Sequence, residues 1–309
     1  MSHPGVRAYQ AAEIESALDW PAAVAALRDA LLAGIDPETE VPRAAYPFGA
    51  GQLLTMPSTA GGRAGVKLAT VAPGNPARGL PRIHAVYLLF DAATLEPVAM
   101  LDGTALTALR TPAVSALGVD LVAPANARRL VVFGTGPQAY GHVHALAAVR
   151  PVESVGVVGR DPARTAAFVR RLQREGIAAA VTDAAAVAQA DLVACCTTAR
   201  QPLFDGRALP AAAVVVACGS HEPDAREVDA ETLRRCGVVV ESVTAACREA
   251  GDVMLAMAEG AVGPADLVSL AQLARGTTDA RPRLVKTVGM GWEDLAVAAA
   301  VVDALAGPG

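Results

Sequence analysis

The chain has 309 residues, more than one hydrophobic core usually organises, and a hydrophobic fraction of 53% to which alanine contributes heavily. Its formal net charge of −5, with no basic cluster, excludes a nucleic-acid surface, and no uninterrupted apolar stretch reaches the roughly 18 residues a membrane span needs. The start Met1-Ser-His-Pro-Gly5 has neither the basic nor the apolar part of a signal peptide, so a cytoplasmic protein of two domains is expected.

In chain order, Asp19-Trp-Pro-Ala22 opens a helix that runs to about residue 33, and strands are expected near residues 52–56, 65–71, 84–90 and 97–101, read as an antiparallel sheet. Lys67 and Lys286 are the chain's two lysines, against 24 arginines, because lysine and arginine together number 26. In Ala64-Gly-Val-Lys-Leu-Ala-Thr-Val71 the alternation puts Val66 and Leu68 on the face opposite Lys67, and from this segment alone Lys67 reads as a solvent-facing strand residue. Thr111 before Pro112 reads as an N-cap with proline at N1, so a helix is expected to begin there.

The next segment predicts a ligand. In Leu130-Val-Val-Phe-Gly-Thr-Gly-Pro-Gln-Ala139 a short apolar strand turns through Gly134, Thr135 and Gly136 into a helix starting at Pro137 and Gln138. Such a turn aims backbone N–H groups and the positive end of the helix dipole at one point, which suits a pyrophosphate. Ala139 fills the third small position of the G-x-G-x-x-G/A pattern, and an apolar run at 154–158 follows at βαβ spacing.

An acidic residue normally meets the adenosine ribose at the end of this second strand, but the chain reads Gly159-Arg160-Asp161-Pro162. A guanidinium at Arg160 can pair with a 2′-phosphate, which favours NADP(H), with NAD(H) as the alternative. Read locally, Arg160 is a solvated loop residue and Asp161 caps the helix that begins at Pro162; both readings can hold together.

Strands are expected at residues 131–133, 155–158, 192–196, 214–218 and 238–241 with helices between, which implies a doubly wound parallel sheet of Rossmann type. The tail over 291–305 is a helix too small to be a domain, and is expected to pack against the first part. The α/β fold is thus a Rossmann domain, 123–289, inserted into a mixed α+β domain made of 1–122 plus 290–309. The five cysteines lack zinc spacing. Cys195, Cys196 and Cys218, at strand ends, read as small reduced core residues, and no metal is expected.

Six segments in order, Gly65-Val-Lys-Leu68, Pro73-Gly-Asn-Pro-Ala-Arg-Gly-Leu-Pro81, Leu106-Thr-Ala-Leu-Arg-Thr111, Gly134-Thr-Gly-Pro-Gln-Ala139, Glu249-Ala-Gly-Asp252 and Lys286-Thr-Val-Gly289, resemble the ornithine cyclodeaminase/mu-crystallin family over nearly the whole chain. The resemblance implies a substrate-binding and dimerisation domain around an inserted Rossmann domain, a homodimer, and hydride transfer at the carbon–nitrogen centre of a small anionic α-imino or α-amino acid. It places Arg43, Lys67 and Arg110 on the substrate carboxylate, with Lys67 and Arg110 also catalytic, although Arg43 and Arg110 taken singly are ordinary surface or helix-face residues. Forked guanidinium contacts and a lysine point charge suit such an anion. The resemblance also extends cofactor contacts to Thr111, Gly159, Arg160, Asp161, Thr197, Thr198, Gly219 and Gly289.

One departure narrows the chemistry. Aligned on Pro223 and Glu227, His221 stands where ornithine cyclodeaminases carry the aspartate that handles the amine proton. An imidazole can move a proton near neutrality but gives no permanent negative charge to a second ammonium; read locally, it is an exposed loop histidine. The resemblance therefore points to a reductase of ketimines or of pyrroline- or piperideine-2-carboxylate, with His221 in proton handling. A cyclodeaminase or alanine-dehydrogenase-like oxidoreductase is the alternative enzyme, and a non-catalytic NADPH-dependent ligand binder the alternative of another class.

Overall fold

The computed structural model describes residues 6–306; Met1–Gly5, on which the absence of a leader was read, lies outside them. The chain forms two compact units, one running to Arg110 and resuming at Gly289, the other spanning Thr111–Val288. The sequence pattern puts these joins at 122/123 and 289/290, whereas the compact units change over at 110/111, inside a continuous helix, and at 288/289.

The first unit contains β1 (Arg7–Tyr9), α1 (Ala11–Ala17), α2 (Trp20–Leu32), β2 (Ala44–Phe48), β3 (Gly51–Ala60), β4 (Arg63–Val71), β5 (Ile83–Asp91), β6 (Pro97–Asp102), the start of α3 (Gly103–Val122) and a C-terminal helix over Gly291–Ala306. Asp19 caps α2 by accepting from the Ala22 amide. The sheet order is β1-β6-β5-β4-β3-β2. It is mixed rather than wholly antiparallel, because β1, too short to show periodicity, joins parallel to β6. Between β3 and β4 the turn runs through Gly61 and Gly62 at φ 56° and 75°, the left-handed pair a tight hairpin requires.

Cross-strand pairing lines up Met56, Lys67, Tyr87 and Leu101 on one buried face of this sheet. The C-terminal helix covers that face: a Cβ at Gly291 would meet the Pro57 carbonyl at 2.4 Å, and Arg63 pairs with Asp303 at 3.1 Å. On the opposite face Tyr46, Phe48, Val86 and Met100 are exposed.

The expected helix start at Thr111 is corrected. Helix α3 begins at Gly103, where Asp102 Oδ1 accepts from the Thr104 and Ala105 amides, and Pro112 lies inside it. Burial of Leu106, Ala113, Val114 and Leu117 holds the helix through a proline that local rules place at a first turn. By length and composition α3 is the one described helix able to cross a membrane, but 61% of its most apolar window is buried inside the protein and it carries Arg110 and Asp120.

The second unit contains β7 (Arg129–Phe133), α4 (Pro137–Val149), β8 (Ser154–Val158), α5 (Pro162–Arg174), β9 (Ala179–Val181), β10 (Leu192–Cys195), β11 (Val214–Ala217), α6 (Ala230–Cys236), β12 (Val238–Val240), α7 (Val243–Glu249), α8 (Gly251–Ala258), β13 (Leu267–Ser269), α9 (Leu270–Ala274) and β14 (Leu284–Lys286). Its sheet is parallel throughout, in the order β13-β12-β14-β11-β10-β7-β8-β9. Runs such as Val214–Ala217 are buried at every residue, as strands covered on both faces must be. From β9 through β14 the order is the doubly wound 3-2-1-4-5-6, with β12 and β13 added beyond; the strand direction of winding reverses between β7 and β10, where such sheets bind ligands.

Candidate active site

At that switch point β7 leads into α4 through Gly134, whose φ is 114° and whose Cβ would meet the Cys196 carbonyl at 2.5 Å. No other residue fits there. Thr135 and Gly136 follow; Gly136 caps α4 without a side-chain partner, Pro137 stands at N1 beside Gln138, and Ala139 is fully buried against the sheet. A Cβ at Gly136 would meet nothing within 4 Å, so this turn leaves open the space in which a phosphate reaches backbone N–H groups. The residues present therefore fit a dinucleotide.

At the end of β8, Gly159 packs so closely that a Cβ would meet Thr165 Oγ1 at 2.2 Å. Arg160 is exposed, whereas Asp161 Oδ1 accepts from the Ala163 and Arg164 amides. One oxygen of the Asp161 carboxylate is thus used in capping α5. Beyond β10 and β11, Glu227 ties two loops together: its Oε1 accepts from the Thr197 amide and hydroxyl at 2.7 and 2.8 Å, and its Oε2 from the Gly219 amide at 2.7 Å. Burial pushes the Glu227 carboxyl up to about 7. Thr198 lies next to this tie, exposed.

His221 lies in the exposed loop that these contacts anchor. Lys286 Nζ donates to the Ser220 carbonyl at 2.6 Å and pairs with Asp252 at 2.8 Å, while Asp252 Oδ1 accepts from the Glu227 and Val228 amides. On the outer side Arg200 pairs with Glu222 and Asp224. Sequence reasoning quoted the strings holding Asp252 and Lys286 without seeing that they pair beneath His221.

In the first unit the expectation of a solvent-facing Lys67 is overturned: it is 3% exposed. Its ammonium lies 2.9 Å from Asp294 Oδ1, which also accepts from Arg110 Nε at 3.0 Å; Arg110 Nη1 donates to Glu293 Oε2 at 2.6 Å. The apolar pattern could not reveal this, because Val66 and Leu68 lie on the sheet face away from the C-terminal helix. Glu293 and Asp294, in the first turn of that helix, sit where its dipole favours carboxylates. Burial, reinforced by Arg110, lowers the Lys67 pKa to about 8. Arg43 Nη2 donates to the Gly289 carbonyl at 2.6 Å. Gly289 belongs to this unit, at φ 81°, and a Cβ there would meet Arg110 Nη1 at 2.6 Å.

The structure thus brings Arg43, Lys67, Arg110 and Gly289 together and adds Glu293 and Asp294, which sequence reasoning missed. Tyr87, level with Lys67 across the strands, is also new: its buried hydroxyl has no hydrogen-bond partner among the described residues, and burial raises its pKa well above the ordinary value. Three cations, Arg43, Lys67 and Arg110, are thus gathered beside the carboxylates of Glu293 and Asp294.

Comparison with known proteins shows that the chain belongs to the ornithine cyclodeaminase/mu-crystallin family. The sequence profile described as "Ornithine cyclodeaminase/mu-crystallin family" matches residues 9–308. The chain is 37% identical to the Delta(1)-pyrroline-2-carboxylate reductase 2 of Burkholderia ambifaria over 304 residues, 97% of this chain and 96% of the relative. Its fold superimposes on the Thermococcus litoralis Delta(1)-pyrroline-2-carboxylate reductase in complex with NADH and L-proline at a TM-score of 0.91, with 27% identity and coverage of 97% and 98% of the two chains. It matches an archaeal alanine dehydrogenase dimer with bound NAD at a TM-score of 0.90, 26% identity and coverage of 97% and 96%.

Proposed function

From its membership of the ornithine cyclodeaminase/mu-crystallin family, we propose that this chain is an NAD(P)H-dependent reductase of small cyclic α-imino acids, of the pyrroline- or piperideine-2-carboxylate kind. The observation that carries the reading is the convergence of the buried Lys67 and Arg110 with the half-buried Arg43, three cations at one place suited to a small carboxylate. Bound nicotinamide supplies the hydride for the imine carbon. Arg110, aligned by Glu293 and Asp294, and Lys67 hold the substrate carboxylate, and Arg43 is fixed beside them through Gly289. A protonated imine needs little further acid; His221, or a water that it orients, handles the remaining proton.

We infer NADP(H) as the preferred cofactor. Arg160 is exposed at the strand end, so a 2′-phosphate has a cation there, while Asp161 Oδ1 is used in capping its helix. Both structural neighbours above carry NADH or NAD, so NAD(H) is the competing outcome. The exposed apolar face of Tyr46, Phe48, Val86 and Met100 suits a homodimer, which sedimentation or mass photometry reads directly.

The deciding experiment is a panel of pyrroline-2-carboxylate, piperideine-2-carboxylate, ornithine, and pyruvate with ammonia, each with NADPH and NADH. The cyclic imines are expected to turn over fastest. Preferred turnover of ornithine would identify a cyclodeaminase, preferred turnover of pyruvate an amino-acid dehydrogenase, and activity on none a ligand-binding protein.

A further inference from the structure

Cys196 and Cys218 follow two adjacent strands in matching register, since Cys195 and Ala217 are paired residues of β10 and β11. Their side chains consequently emerge together, and the two sulfurs lie 3.7 Å apart. His142, from α4, reaches the same point, so that its imidazole and both sulfurs all lie within 4.8 Å of one another. Three elements thus converge three soft ligands at one spot beneath the Gly134 turn.

Two details suit a cation. Thiolates on a tetrahedral zinc ion, with Zn–S near 2.3 Å, stand about 3.8 Å apart, so the sulfurs are already spaced for one. His142 Nδ1 lies 2.8 Å from the Gln138 carbonyl, an acceptor, which places the ring proton on Nδ1 and the lone pair on Nε2. A backbone carbonyl fixing one imidazole nitrogen in this way is the usual support of a metal-bound histidine. Nε2 lies 2.9 Å from Ser115 Oγ, the contact that a bound cation would replace. Cys196 and Cys218 are half-buried rather than core residues, unlike Cys195, so a fourth ligand can be water.

The geometry points to a binding site for a single thiophilic d10 cation of the zinc class, held by His142, Cys196 and Cys218 on the floor of the nucleotide turn. No step of the proposed reduction uses it, so binding is read without an activity assay. Thiols bind such a cation as thiolates, so loading releases protons.

The test is titration of the intact, reduced, nucleotide-free protein with Co²⁺ and then Zn²⁺. One equivalent of Co²⁺ is expected, with sulfur-to-cobalt charge-transfer absorption that Zn²⁺ abolishes. Cys196→Ser and Cys218→Ser should each lose this absorption and weaken Zn²⁺ binding by about a hundredfold or more; Cys247→Ser, at a half-exposed thiol of another helix, should change neither. NADPH fluorescence checks that the variants remain folded. If they do not, X-ray absorption of the zinc-loaded wild-type protein gives the answer directly, as a shell of two sulfurs with imidazole. Binding that survives both serine substitutions, or a shell of oxygen and nitrogen alone, would overturn the proposal.

Discussion

Lys67→Met separates what the buried lysine does for the fold from what it does for the substrate. Its ammonium lies 2.9 Å from Asp294 Oδ1, with neither side chain appreciably exposed. Removing one partner of a buried pair costs about 3–5 kcal/mol, against a typical total of about 5–15 kcal/mol, so the unfolding midpoint should fall by about 10 °C. If the same ammonium also grips the substrate carboxylate, a charge-assisted contact of about 3 kcal/mol disappears and kcat/KM drops about a hundredfold. A double-mutant cycle distinguishes the two. In the Asp294→Asn background no full charge is stranded, so the stability loss on Lys67→Met should shrink, while the hundredfold loss in kcat/KM should persist. Calorimetry and initial rates with pyrroline-2-carboxylate measure both quantities. If the catalytic loss shrinks together with the stability loss, Lys67 is a structural residue and its assignment to the substrate is wrong.

Arg160→Ala should raise the Michaelis constant for NADPH about tenfold or more while sparing NADH, as the loss of a charged hydrogen bond of about 1.5–3 kcal/mol requires; equal losses with both cofactors would refute the 2′-phosphate contact. Because the Lys67 pKa is lowered to about 8, the ammonium is charged below that pH and neutral above it, so kcat/KM for the imino acid should fall as pH rises through about 8. Lys67→Arg should move that limb to higher pH, since the imino acid's own ionisation is common to both enzymes; an unmoved limb counts against the lysine. Gly134→Ala, forced to φ 114° and against the Cys196 carbonyl, should weaken NADPH binding by about tenfold or more, because strain of this kind costs about 1–3 kcal/mol; unaltered binding measured by fluorescence would contradict the close approach. His221→Asn should slow imine reduction, and His221→Asp should improve turnover of ornithine; no change in either variant would make His221 a rim residue.

Local chemistry carried the parts of this fold that the sequence makes legible. The strand, two glycines, proline and Ala139 of the nucleotide turn are contiguous, and Asp161 and Asp19 cap helices that begin one residue later. Lys67 was misplaced because alternation tells which residues share a face, not which face is covered, and the covering carboxylate arrives 227 residues later. Pro112 misled because a proline at the first turn and one tolerated by a buried helix look alike in sequence. Three-residue strands such as β9, β13 and β14 are too short to show a period. The cluster of His142, Cys196 and Cys218 has no motif spacing at all, because the sheet register, not the chain, makes them neighbours.

The scarcity of lysine makes the protein its own labelling experiment. Lys67 belongs to the first unit and Lys286 to the second, and both are buried in ion pairs. Each unit therefore holds a single side-chain amine that a reagent reaches only when that unit opens. The rate at which each lysine is acylated, read by mass spectrometry of the two peptides, counts the excursions of the two units separately, with no engineered probe. It also means that enzymatic acetylation finds no exposed lysine side chain here, and that the surface cations, being guanidinium, keep their charge at every pH the enzyme meets.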